Sequence, residues 1–340
     1  MSGKHEATTA RFLGFLAVSL LVASAIGAQA LPDYVPLLPT VKEKAVAVDP
    51  HKGYALKLLK PDVYMITEGA YESMFVTTGS GVVLFDAPPS LAGHISQAVA
   101  ETTKEPIVML VYSHMHVDHI GGAGVILKEH PGIEILAEQG TTDFLRDMQD
   151  PARPVPTRTF TDRYSLEIGS LTANMTLGHW HSSEGDLLIE IPNKKVVMAV
   201  DAFSAGATPF MGLDLTQNMH EYLKFLDQLQ SMDFDLMVPG HHSTPATKED
   251  LAIARSYVAD VYQTVTRILR RDRSALRTRA VQKYHDNTWA VASVLIHDAV
   301  DECAREVTGR WITKLEGVDI WAPSHCHVAL VYAEWDVGPR

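Results

Sequence analysis

Ser113-His114-Met115-His116-Val117-Asp118-His119-Ile120-Gly121-Gly122 is the stretch whose reading decides this chain. It follows the apolar run Ile107–Tyr112, which predicts a strand. Four metal-ligand candidates in six positions, just past a strand end, are hard to explain as packing. His and Asp are costly to desolvate at that density unless a cation offsets the cost. From extended backbone His114 and His116 share a side, while Asp118 and His119 turn away as the chain enters a helix. One turn can therefore present donors to two metal ions. Gly121 and Gly122 would let the backbone pass close beneath them.

Three features further along fit an expanding site. Gly178-His179-Trp180-His181 follows the predicted strand Leu171–Leu177. Asp201 ends the predicted strand Lys195–Val200, and Val238-Pro239-Gly240-His241-His242 carries a Pro-Gly turn after another short run. All lie past the C-terminal ends of predicted strands, where α/β sheets place their sites.

Other strands are expected at Val63–Thr67, Met74–Thr78, Val82–Asp86, Ile133–Ala137 and Leu187–Ile191, with a short one at Leu236–Val238. Helices are expected at Leu91–Thr102, Gly122–Glu129, Gly140–Met148 and His220–Gln230, so strands and helices interleave in an α/β layered fold. After Pro245 the pattern changes. Thr247 and Asp250 form a capping-box-like start to a helix running towards Arg271, and a second amphipathic stretch runs from Asn287 to Val307. The arginines at 267, 270, 271, 273, 277 and 279 read as the solvated face of the first helix and its following loop. His325-Cys326-His327 precedes a strand-like Val328–Tyr332, and consecutive strand residues face opposite ways, which makes the trio structural.

Composition bounds the function. The 340 residues carry 29 Lys+Arg against 41 Asp+Glu, a net charge of −12, which argues against a nucleic-acid partner. An apolar content of 46% is ample for a core. Sixteen histidines stand against two cysteines, Cys303 and Cys326, too few for a thiolate metal framework. Lys4 and Arg11 precede an apolar run from Phe12 to Gly27 that ends at Ala28-Gln29-Ala30, the pattern of a secretory signal peptide. The expected division is a signal at 1–30, a linker or arm at 31–50, a metal-binding domain at 51–245 and a mostly helical region at 246–340 packed on it. The product is expected in the periplasm or secreted, with no membrane anchor after cleavage.

These motifs resemble the metallo-β-lactamase superfamily of metallohydrolases, over Asp62 to His242 and most specifically at His-x-His-x-Asp-His. The resemblance implies an αββα sandwich, here with a helical C-terminal extension. It implies two Zn²⁺ per chain: His114, His116 and His181 on one, Asp118, His119 and His241 on the other, and Asp201 bridging. It departs from the family's Gly-His-Thr-x-Gly-Asp run. Spacing to Gly185-Asp186 favours His181 as ligand, whereas Gly178 directly before His179 favours His179. Asp86 would support the ligands from behind, and His242 and Trp180 are candidates for support or substrate contact. The implied activity is hydrolysis of a small ester, lactone or lactam-like molecule by a hydroxide bridging the metals, with Asp118 as proton shuttle. Alternatives are a mononuclear iron oxidoreductase resembling the persulfide dioxygenases, or a non-catalytic metal-binding protein of the same fold. Tyr71, Met74, Phe75, Phe210 and Met211 are candidates for the pocket wall. The C-terminal region would cap the site or form a homodimer contact.

Overall fold

Side chains that alternate between the two faces of each strand build this molecule in four layers. The computed structural model describes residues 32–181 and 185–338, so the expected signal segment lies outside the described residues. The first sheet holds, in spatial and chain order, β1 (Ala55–Lys60), β2 (Val63–Thr67), β3 (Glu72–Thr77), β4 (Val82–Phe85), β5 (Ile107–Val111), β6 (Glu134–Glu138) and β7 (Arg158–Phe160). Pairing is antiparallel from β1 to β4 and parallel from β4 to β7. The second sheet holds β8 (Arg163–Ile168), β9 (Leu171–Leu177), β10 (Leu187–Ile191), β11 (Val196–Ala199) and β12 (Leu236–Val238), ordered β12-β11-β10-β9-β8.

Alternation decides which side chain meets which layer. From β4, Val83 and Phe85 join the core between the sheets, and Val82 and Leu84 face the outer helices. From β11, Val196 and Met198 point inward, while Val197 and Ala199 pack on the opposite helical layer. The all-apolar strands are thus buried on both faces, and the architecture is the αββα sandwich. One helical layer includes Ala92–Thr102 and Ala123–Glu129. The other comprises Met219–Ser231, Lys248–Leu269, Thr288–Trp311 and Val318–Val331. Thr247 and Asp250 close a reciprocal capping box on Lys248–Leu269. Among the described residues no helix is long and apolar enough to cross a membrane.

Several elements differ from the sequence reading. Val328–Tyr332 is not a strand: residues 318–331 form a helix. Val318, Ala322, Cys326, Ala329 and Leu330 recur at three- and four-residue spacing and are buried, so packing overrides the β-branched look of the final run. His325 and Cys326 therefore share the buried face instead of alternating. Cys303 and Cys326 are joined in a disulfide, which the sequence reading did not anticipate. Unforeseen too are β1, β7, β8 and the helix Ser274–Tyr284. In β1, Leu56 and Leu59 carry a helical spacing; β7 has only three residues; in Ser274–Tyr284 Ala280 alone is buried. The arm at 31–50 contains a short helix, Pro39–Lys44. The arginines on Lys248–Leu269 and after it face outward and pair with a neighbouring helix: Arg267 with Glu306, Arg271 with Glu302, and Arg273 with Asp298.

Candidate metal centre

The site lies where the strands of both sheets run out. Beyond β5 the chain bends through Ser113–Met115, is extended at His116 (φ −69°, ψ 143°) and then makes the helical turn Val117–Ile120 that carries Asp118 and His119. The two glycines that follow are required by close approach. A Cβ at Gly121 would lie 2.3 Å from the Val117 carbonyl oxygen, and one at Gly122 would lie 2.4 Å from the Ala92 Cβ. Asp201 leaves β11 at φ 57°, its amide donating to the Pro239 carbonyl, which ties the β11 and β12 ends together. Gly240 turns at φ +90° with its Cα against Val200 and His119, a place a side chain could not occupy.

These turns bring all seven predicted ligands together. Ligand atoms of His114, His116, His181 and Asp201 lie within 4.8 Å of one another, as do those of Asp118, His119 and His241. Asp201 divides its carboxylate between the two sets. Its Oδ2 is 3.4 Å from His114 Nε2 and 3.3 Å from His181 Nε2, while its Oδ1 is 3.3 Å from His119 Nε2 and 3.0 Å from His241 Nε2. Asp118 Oδ2 approaches His119 and His241 at 3.6 and 3.7 Å.

Of His179 and His181, the fold brings His181 to the cluster, whereas His179 is exposed and stands outside both sets. Two contacts explain the misleading spacing. The Asp186 carboxylate accepts from the His181 amide at 3.2 Å, which gives the downstream Gly-Asp its meaning. Gly178 is glycine because the Trp180 ring folds over it, 2.1 Å from where a Cβ would be, and not because a ligand follows.

The surroundings prepare the rings. His114 Nδ1 bonds the Ser113 hydroxyl at 3.0 Å, and His181 Nδ1 donates to the Asp214 carbonyl, so each turns Nε2 to the centre. Asp86 is fully buried; one oxygen accepts the Ser113 amide at 2.7 Å, and burial pushes its carboxyl up to about 6. Trp180, also buried, donates to the Val200 carbonyl at 2.9 Å, steadying the residue before Asp201; it stacks on Phe225 and does not reach the cavity. Met74 and Phe75 are likewise core, and Met211 lies off the cavity wall. Tyr71, Phe210 and His242 do line the cavity.

The donor chemistry fits divalent ions. Burial holds His114 well below the usual imidazole range, His116 at about 4, and His181 low, so these rings are neutral donors at pH 7. Burial also opposes a charge on His119, yet Asp201, Asp118 and Asp86 outweigh it and lift the ring to about 9. The carboxylates of the cluster thus favour a positive charge beside them. His114 Nε2 is buried without a hydrogen-bond partner, and His181 Nε2 faces His116 Nδ1 at 3.0 Å.

Residues outside the motifs also belong to the site. Glu72 on β3 is fully buried, with neither oxygen hydrogen-bonded, and burial pushes it up to about 8. Asp214 sits in a left-handed turn in which Gly212, Leu213, Asp214 and Leu215 all have φ between 54° and 63°. That turn presents the carbonyl holding His181. Glu316 and Trp321 come from the C-terminal region to line the cavity. None of these has a local sequence signal, since each acquires its role through folding.

Comparison with known proteins places this geometry. A metallo-beta-lactamase from Pontibacter korlensis superposes with a TM-score of 0.53 at 16% identity, covering 60% of this chain and 97% of that one. The metallo-beta-lactamase IND-7 does so at 0.50 and 19%, covering 60% and 98%. At these identities the likeness concerns the fold. The chain is also similar to the 2,4-dinitroanisole O-demethylase subunit alpha of Nocardioides sp. (strain JS1661), 24% identical over 185 residues. That match takes in 53% of this chain and 55% of the relative, so the chain spans about half of the relative's length. The sequence profile of the metallo-beta-lactamase superfamily matches residues 66–241, just over half of the chain and the segment holding every member of the cluster, and the chain belongs to that superfamily.

Proposed function

We propose that the chain is an exported dizinc hydrolase of a small ester, lactone or lactam-like molecule. The observation that carries this reading is the division of Asp201 between two imidazole sets directly beneath a cavity. His114, His116 and His181 with Asp201 would hold one ion, and Asp118, His119 and His241 with Asp201 the other. Bound ions of this kind supply Lewis-acid polarisation and a water acidified towards neutrality. Asp118 has a side chain 36% exposed and lines the cavity, so it is placed to take a proton from the attacking water and pass it to the leaving group. Export is supported by the basic, apolar and Ala-Gln-Ala succession before residue 31 and by the Cys303–Cys326 disulfide, a bond that persists in oxidising compartments.

Cleavage of an aryl ether is a second reading, favoured by the O-demethylase relative and by the aromatic side chains on the cavity wall. Metal analysis of anaerobically purified protein tests the ion set: two zinc per chain is expected, and one iron would turn the assignment to an oxidoreductase. Asp118→Asn is expected to lower turnover about a hundredfold or more. Near-full turnover with both metals retained would remove Asp118 from the proton path.

A further inference from the structure

We infer that the cavity selects a substrate with a flat, uncharged aromatic portion and rejects one carrying an anionic group remote from the reacting bond. This rests on the hydrolytic reading and names the substrate class for that site. The cavity measures about 620 Å³, a size suited to a small organic molecule. Its floor is the histidine–aspartate cluster. Its wall is assembled from separated segments: Val35 of the N-terminal arm, Tyr71 before β3, Phe210, and Ile320 and Trp321 of the C-terminal helix. The Phe210 and Trp321 rings meet at 4.7 Å between centroids, and the Tyr71 ring lies 4.9 Å from that of His241. Phe210 and Val35 are each 50% exposed and both line the cavity, so apolar surface is left open on its wall, where an aromatic ring would cover it.

Charge disfavours anionic substrates. Among the described residues, no lysine or arginine lines the cavity. A carboxylate- or phosphate-bearing compound would find no guanidinium or ammonium on the wall to replace its hydration. It would instead meet the carboxyl of Glu316, whose side chain is only 10% exposed, with Oε1 3.6 Å from His242 Nδ1 and Oε2 without a hydrogen-bond partner. When ionised, Glu316 repels a second anion at this wall, and when protonated it still offers no positive charge, so its effect is discrimination more than affinity. The reaction on an aryl ester is plain hydrolysis. A bond forms from the water oxygen to the carbonyl carbon, and the bond to the aryloxy oxygen breaks with its electron pair. The leaving oxygen takes up a proton, giving an acid and a phenol.

Zinc-loaded protein should be assayed on phenyl butyrate, 4-carboxyphenyl butyrate and methyl butyrate, each rate corrected for the ester's own reactivity towards hydroxide. Phenyl butyrate is expected to show kcat/KM about tenfold or more above the carboxyphenyl ester, and Glu316→Gln to narrow that gap. Trp321→Ala and Phe210→Ala are expected to lower phenyl ester turnover more than methyl ester turnover; Phe210, half exposed, can be lost without unfolding the protein. Calorimetric binding of acetanilide, the uncharged amide counterpart, should weaken about tenfold in Trp321→Ala. Equal turnover of the carboxyphenyl and phenyl esters, or unchanged acetanilide affinity in both wall variants, would overturn the substrate class. If no ester is cleaved while acetanilide still binds through Trp321, the class stands and the hydrolytic reading falls.

Discussion

Asp86 acts on the cluster through the backbone of Ser113 and through its charge beside His119. It occupies φ 62°, a conformation Asp and Asn tolerate better than other residues, and its Oδ1 receives the buried amide of Ser113, the residue before His114. Asp86→Ala would leave that amide without its partner, at a cost of about 1–3 kcal/mol, and would loosen the turn that aims His114 and His116. Metal affinity, read by chelator competition, is expected to fall about 10- to 100-fold in Asp86→Ala, while Asp86→Asn, which keeps the acceptor, retains most of it. Equal affinities for both variants would show that the carboxylate's charge, rather than its hydrogen bond, is what matters. His181 follows the same logic, its Nε2 aimed inward because Nδ1 is held by the Asp214 carbonyl.

At the scale of elements, the helix Val318–Val331 couples the outer layer to the cavity. His325 on its buried face accepts from the Tyr257 hydroxyl at Nδ1 (2.6 Å) and donates from Nε2 to the Phe210 carbonyl (2.9 Å). Both bonds are satisfied by the neutral ring. Burial depresses the imidazole from 6.5 to about 4 in the folded protein. A group lowered by folding contributes stability that is fully present above its unfolded value, near pH 6.5, and is lost as pH falls through about 4. At about 1.4 kcal/mol for each tenfold in proton affinity, the contribution reaches about 3 kcal/mol. Urea midpoints at pH 7, 5 and 4 should therefore fall more steeply in the wild type than in His325→Gln. Parallel falls would assign the acid sensitivity elsewhere.

For the whole molecule, the C-terminal region completes the cavity begun by the sandwich. The sandwich supplies the floor, and the helix that supplies Ile320 and Trp321 is tied to Thr288–Trp311 by the Cys303–Cys326 bond. The arm joins the same helix, the Val35 amide donating to Asp319 Oδ2 at 2.7 Å. Replacing Cys303 and Cys326 by serine is expected to cost about 2–4 kcal/mol of stability while leaving metal content unchanged, as measured by urea unfolding and metal analysis. Loss of metal in that variant would show that the helical region also holds the ligands in place.

The sequence by itself determined what is local. His114, His116, Asp118 and His119 marked the cluster because dense polar residues after an apolar strand suit a cation, and β4 and β11 declared their double burial because every residue in them is apolar. The strand ends also located Asp201 and His241. Tertiary structure alone decided what depends on neighbours distant in the chain. His181 over His179 turned on Trp180 lying across Gly178 and on Asp186 reaching back to an amide. The run at 328–332 became helix because its partners lie ten residues upstream and on other helices. Glu316, Trp321 and Asp214 became cavity and support residues because packing carried them there. Spacing along the chain encodes which groups can share a turn, whereas a cavity wall is built from segments whose proximity exists only after folding.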